Sequence, residues 1–152
     1  MSLLLPLFCC WWPRLTEPVV TCAMQAPLSL HHQCAFILAL SVDKQEIENQ
    51  YLANSPLYAR VLQYLNYDIA QDAFLSLPGR PDSVAAIAAS YPRQYGNTGR
   101  SSVLLVFPVP DKQLRKGCHV TFRGDKFDLG TRRFFFTAHD IKAARKGQAA
   151  LK

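Results

Sequence analysis

The chain has 152 residues, 49% of them apolar and 18% charged, with nine Phe, six Tyr and two Trp. That is enough for one ordinary hydrophobic core and excludes a disordered chain, while ten scattered Pro favour short elements over long helices. The net charge of +6 is unevenly placed: residues 111–152 carry eleven Lys or Arg against four Asp, and residues 1–110 carry six basic against seven acidic side chains. An anionic partner is therefore expected at the C-terminal third.

The first twelve residues, MSLLLPLFCCWW, form an apolar run broken by Pro6, and the first basic residue is Arg14. A secretory signal wants its positive charge before the apolar core, and a bilayer span needs roughly 20 apolar residues, so neither is expected. Residues 1–24 fit three readings. They form a strand or arm packed on the core, or a targeting segment of unusual type, or an extension ahead of an alternative start at Met24. Of the five cysteines (Cys9, Cys10, Cys22, Cys34 and Cys118), four lie in the first 34 residues. Their spacing is not that of a disulfide framework, and they read as reduced thiols of an intracellular, cytoplasmic protein.

Further along, CAFILALSV over 34–42 reads as a buried strand. Asp43 followed by Glu46 reads as a capping pair opening a helix, with Glu46 and Glu48 on its exposed start. Ser55 and Pro56 read as an N-cap followed by Pro at the first helical position. The helix they open carries Leu57, Val61, Tyr64 and Leu65 on one stripe, a face meant for a core. Asp68 is expected to cap a short helix to residue 75, ended by Pro78 and Gly79. Asp82 or Ser83 then opens an Ala-rich helical turn that stops before Pro92.

From Arg100 the pattern turns to β. Residues 101–109 are nearly continuously apolar, as in a strand covered on both faces. Residues 118–123 alternate Cys, Val and Phe with His, Thr and Arg, the period of a half-buried strand. Phe127 and Leu129 continue it past a bend at Gly124, and RRFFFT over 132–137 makes another strand. Thr137, with Asp140 three residues on, caps a last helix that Gly147 closes. The expected class is α+β: helices on one face of a mostly antiparallel sheet built largely from the C-terminal third, in one domain over residues 25–152.

The leading expectation for function is a small accessory protein, not an enzyme, that docks an anionic partner. Nucleic acid is the first choice and an acidic protein surface the second. Arg93, Arg100, Arg115, Lys116, Arg123, Lys126, Arg132, Arg133, Lys142, Arg145 and Lys146 are the candidate contacts, because cationic side chains track phosphates by charge. Aromatics from Phe134 to Phe136 stack bases where exposed, and alternation allows only one of the two sets to face solvent. There is no RNP1-like motif, no paired-Cys zinc pattern and no clear helix-turn-helix.

The alternative is a small enzyme acting on a phosphorylated or nucleotide substrate. Its pocket would lie near the Gly-containing loop 90–102, with Tyr91, Tyr95, His119 and His139 as polar contributors. That loop lacks the Gly-Lys-Ser/Thr end of a P-loop and precedes a strand where a phosphate-binding loop follows one. Inhibition of a protein partner by occlusion is a third reading. Cys118 cannot pair with the adjacent His119, since neighbours on a strand point to opposite faces; His139 would have to reach it from another element. Cys22, His31, His32 and Cys34 have zinc-ligand chemistry without the tight paired spacing, so no metal and no cofactor is expected. The carboxylates show no convergent pair and read as caps and solvated faces.

Overall fold

The computed structural model describes residues 20–30, 32–93 and 99–150, with backbone alone for 20–30 and 148–150. The expectations placed on residues 1–19, His31 and Tyr95 fall outside these. The fold is α+β, with all strand pairs antiparallel. Among the described residues, nine strands form two sheets. The first has the order β1 (Val20–Leu30), β2 (Gln33–Val42), β7 (Ser101–Phe107), β6 (Ala88–Ser90), with β3 (Gln45–Glu46) paired to β2. The second has the order β5 (Ser83–Ala85), β4 (Ala73–Ser76), β8 (Cys118–Arg123), β9 (Thr131–Phe136). Strands therefore come from the whole described chain rather than largely from its C-terminal third, and β1 crosses residue 24, where Met24 pairs with Leu38.

The two sheets share one core. Phe36 of β2 meets Phe107 at 5.7 Å and Phe136 of β9 at 5.1 Å, which joins the inner faces of both sheets. Phe36, Leu38, Leu40, Val103, Leu105 and Phe107 line one side; Leu75, Val120, Phe122 and Phe136 line the other. The run at 101–107 alternates between buried and half-buried residues instead of being covered on both faces. The alternation expected of 118–123 is present, with Cys118, Val120 and Phe122 inside.

Among the described residues, two α-helices flank the strands. α1 (Ser55–Asn66) begins at the residue expected to cap it: Asn54, one residue earlier, is the N-cap and accepts a hydrogen bond from the Leu57 amide at 3.2 Å, and Pro56 sits in the first turn. Val61, Tyr64 and Leu65 are its buried stripe, while Leu57 stays 39% exposed. α2 (Ala138–Ala150) lies against β1 and carries the expected capping box. The Thr137 amide donates to Asp140 Oδ2 at 2.8 Å, and the Asp140 amide donates to Thr137 Oγ1 at 3.2 Å. Gly147 does not close this helix, which runs on to Ala150.

Three helical expectations give way to other structure. Asp43 and Lys44 both take positive φ, +50° and +61°, and make a two-residue hairpin turn between β2 and β3. A short polar residue tolerates that conformation, and the turn matches the twist of the strands it joins. The segment after it is a 3₁₀ turn, Ile47–Tyr51, and Glu46 and Glu48 are buried rather than exposed. Residues 68–76 split into a 3₁₀ turn (Asp68–Asp72) and β4, and the Ala-rich stretch forms β5 and β6. Alanine has high helical propensity, but pairing of Leu75 with Val84 and of Ala89 with Leu105 overrides it.

Candidate nucleic-acid interface

The second sheet has one face in the core and one toward solvent, and strand register fixes which side chains share the outer face. His119 pairs with Ser76 on one side and Phe135 on the other; Thr121 pairs likewise with Phe74 and Arg133; Arg123 pairs with Thr131. These residues share one parity along each strand and stand opposite the buried set Cys118, Val120 and Phe122. Phe135 is 70% exposed, and its ring lies 5.4 Å from that of His119. The Arg123 guanidinium sits 4.8 Å over the Phe74 ring, donates to the Gln71 carbonyl at 3.1 Å and pairs with Asp72 at 3.5 Å. Strands lie about 4.8 Å apart and alternate rows about 6.7 Å, so Phe135 and Phe74 stand roughly 12 Å apart across the face. The face thus offers the exposed Phe135 ring and the Arg123 guanidinium stacked over Phe74, with Arg133 on the same parity.

The three consecutive Phe divide as alternation requires. Phe136 is buried against Phe36, Phe134 is half-buried against the same core, and Phe135 faces water. The same parity separates the two neighbouring arginines. Arg133 lies in the outer-face row of Thr121, whereas Arg132 pairs with buried Phe122 and lies on the core-side parity, exposed because β9 is the sheet edge. Charges on an edge strand also keep it from pairing with another chain.

The remaining candidates are dispersed. Arg145 forms an ion pair with Asp111 at 2.9 Å and donates to its carbonyl at 2.7 Å, a structural tie between α2 and the 3₁₀ turn Asp111–Leu114. Lys126 rests 4.3 Å over the Tyr64 ring on the α1 side of the molecule. Arg93 donates to the Tyr58 hydroxyl and lies 5.3 Å from that ring's centre. Arg100 is exposed just ahead of β7. Lys142 and Lys146 are exposed on α2, and Arg115 and Lys116 are exposed immediately before β8.

Three members of the pocket set, Tyr91, His119 and His139, lie among the described residues. Tyr91 is buried on the first-sheet side, where its hydroxyl donates to Glu48 Oε1, and Ser101 Oγ donates to Glu48 Oε2 at 2.6 Å. Ser101 Oγ in turn accepts from the Ile47 amide at 2.9 Å, so this network ties the 3₁₀ turn to β7. Burial and the hydrogen bond to Glu48 push the Tyr91 phenol well above its ordinary range. His119 lies on the outer face of the second sheet, and His139 is exposed at the start of α2. Cys118 is 6% exposed, and burial pushes its thiol up to about 12, so it behaves as a small core hydrophobe rather than a nucleophile. Cys34 is fully buried and likewise pushed up to about 12, by burial first and by neighbouring Cys118 second, while His32 is exposed in the β1–β2 turn. Among the described residues no three His, Cys, Asp or Glu groups are gathered as metal ligands.

Two clefts among the described residues bear on the candidate contacts. A cleft of about 460 Å³ lies between α1 and the β8–β9 connection, lined by Tyr51, Arg60, Tyr64, Asp68 and Lys126. Its polar groups are partly committed, since the Tyr64 hydroxyl donates to Asp72 at 2.7 Å and Lys126 covers the Tyr64 ring. A second cleft of about 290 Å³ is lined by Arg80, Lys112, Arg115 and Lys116 above Leu77 and Pro78. Sequence reasoning named Arg115 and Lys116 but missed Arg80 and Lys112. Arg80 follows a turn some thirty residues from the others, and only the β4–β8 pairing joins them. No family model, curated protein or solved structure matches this chain.

Proposed function

We propose that this protein binds single-stranded nucleic acid through the outer face of its second sheet, as a basic accessory protein rather than an enzyme. The observation that carries the reading is the Phe135–His119 ring pair, with Phe135 70% exposed on an open sheet face beside Arg133. A large apolar ring left in water on a sheet whose other face is well packed has no role in the core. Base stacking gives it one, because every unpaired base has a π face and the interaction is sequence-tolerant. Arg133 supplies charge for phosphate, and the guanidinium plane of Arg123 extends the Phe74 platform.

The geometry favours unpaired strands over duplex. A sheet face with short projecting rings cannot reach base faces inside a stacked helix, whereas a single strand can lay its bases on it. Tyr91, a polar contributor of the enzyme reading, is buried with its hydroxyl committed to Glu48, which supports the binding reading over the enzyme one.

The test is fluorescence anisotropy of labelled single- and double-stranded oligonucleotides against the full chain over a salt series. The expected result is micromolar or tighter binding of the single strand, weaker binding of the duplex, and a steep loss of affinity with salt. Absence of binding at low salt, or duplex bound as well as single strand, would overturn the proposal.

A further inference from the structure

The four cations around the smaller cleft come from two connections brought together by the strand pairing. Arg80 lies in the β4–β5 connection and Lys112, Arg115 and Lys116 in the β7–β8 connection. Because β4 and β8 are antiparallel with Ser76 opposite His119, the end of β4 and the start of β8 meet at one end of the sheet. That end is also where the His119–Phe135 row lies. The approach is held tightly. Gly117 has φ +95°, and a Cβ there would fall 2.7 Å from the Phe136 carbonyl oxygen, so only glycine lets residues 115–117 run so close to β9.

The charge of this cleft is not neutralised locally. No carboxylate lines it, and the adjacent Asp111 is engaged by Arg145 at 2.9 Å. The same ion pair anchors the 3₁₀ turn that presents Lys112. None of Arg80, Lys112, Arg115 and Lys116 has an acidic partner among the described residues. Four like charges kept together in a concavity repel one another, and an anion relieves that repulsion. The floor of the cleft is Leu77 and Pro78, whose side chains carry no charge to offset the four cations.

We infer that this cleft is a phosphate seat, holding a phosphate group of the strand whose neighbouring base stacks on Phe135 and His119. The inference rests on the reading of the sheet face as a single-strand interface, and it sets where the bound strand runs: across the outer face and off its β4–β8 end. A backbone diester and a terminal monophosphate both offer the required oxygens, so the chemistry is shared and the experiment separates the sources.

Two measurements on the full chain test it. The first titrates wild type and a K112Q/R115Q/K116Q variant with inorganic phosphate, following the amide resonances of residues 112–117. Saturable shifts confined to wild type are expected; equal response of both proteins, or none in either, overturns the seat. This arm does not depend on oligonucleotide binding, so it stands apart from failure of the sheet-face reading. The second measures binding of a single-stranded oligonucleotide of about ten nucleotides, unphosphorylated or carrying a 5′ or a 3′ phosphate. The triple variant should lower the slope of log affinity against log salt by roughly 0.7, the value for one phosphate contact on a single strand. An R60Q/K126Q control, which removes charge from the opposite end of the molecule, should leave that slope unchanged. Stronger binding of one phosphorylated end, lost in the triple variant, identifies a terminal phosphate; equal binding of all three, weakened by the variant, identifies the backbone. An unchanged slope in the triple variant, or an equal loss in the control, overturns the inference.

Discussion

Replacing Phe135 with Ala separates an interface role from a structural one by magnitude. Fully burying a Phe side chain contributes about 1.5–3 kcal/mol, and Phe135 leaves 70% of its surface in water. The buried remainder scales to roughly 0.5–1 kcal/mol of stability. Stacking of a base on an aromatic ring contributes about 1–3 kcal/mol by alanine substitution, which is roughly 5- to 150-fold in affinity. Phe135→Ala should therefore weaken single-strand binding about 5- to 150-fold and lower the melting temperature by only about 1–4 °C. Phe136→Ala should do the reverse. Phe136 is 9% exposed and meets Phe36 at 5.1 Å, so its loss should cost about 3–5 kcal/mol of stability. Phe135→Trp should restore binding by offering a larger π face. Anisotropy titration paired with thermal unfolding of each variant provides both numbers. Unchanged affinity in a folded Phe135→Ala protein would refute the assignment of this face.

Four further outcomes follow from the fold. Arg133→Ala should reduce the salt slope of single-strand binding by about 0.7, while Arg132→Ala, on the other parity of β9, should leave it near the wild-type value; equal effects would show that strand parity does not define the interface. Thr137→Ala should destabilise the protein by about 1 kcal/mol through loss of the α2 cap, measured by chemical denaturation. The hydrogen bonds from Thr137 hold the Asp140 carboxyl below its ordinary range, so their contribution is present above the unfolded-state pKa and is lost as pH falls through the depressed folded value. Asp140→Asn should flatten that acid-side loss, and an unaltered pH profile would remove Asp140 from it. Gly117→Ala forces a Cβ into the positive-φ conformation 2.7 Å from the Phe136 carbonyl oxygen, and should cost more than about 1 kcal/mol. Gly79→Ala, at a similar φ but with nothing within 4 Å, should cost less in the same unfolding assay.

What the sequence by itself determined lies in local patterns. The Thr137–Asp140 box, the start of α1 near Pro56 and the alternation of 118–123 each depend on residues within one turn or one strand, and each is present. The concentration of positive charge after residue 110 is a property of the chain itself. Strand periodicity also required the Phe134–Phe136 run to split its rings between faces. It could not tell which ring faces water, because that depends on the partner strand and on the core beneath it.

Tertiary structure decided the rest, and the reason is pairing between distant residues. Ala-rich 83–90 carries helical propensity, yet forms two short strands because β4 and β7 offer unpaired backbone partners. Glu48 reads as a solvated carboxylate until Tyr91 and Ser101, more than forty residues away, close around it. Arg80 looks like an ordinary turn residue until the β4–β8 register sets it beside Lys112, Arg115 and Lys116. Each of these depends on a contact whose two halves are far apart along the chain, and periodicity within a short window carries no record of such a contact.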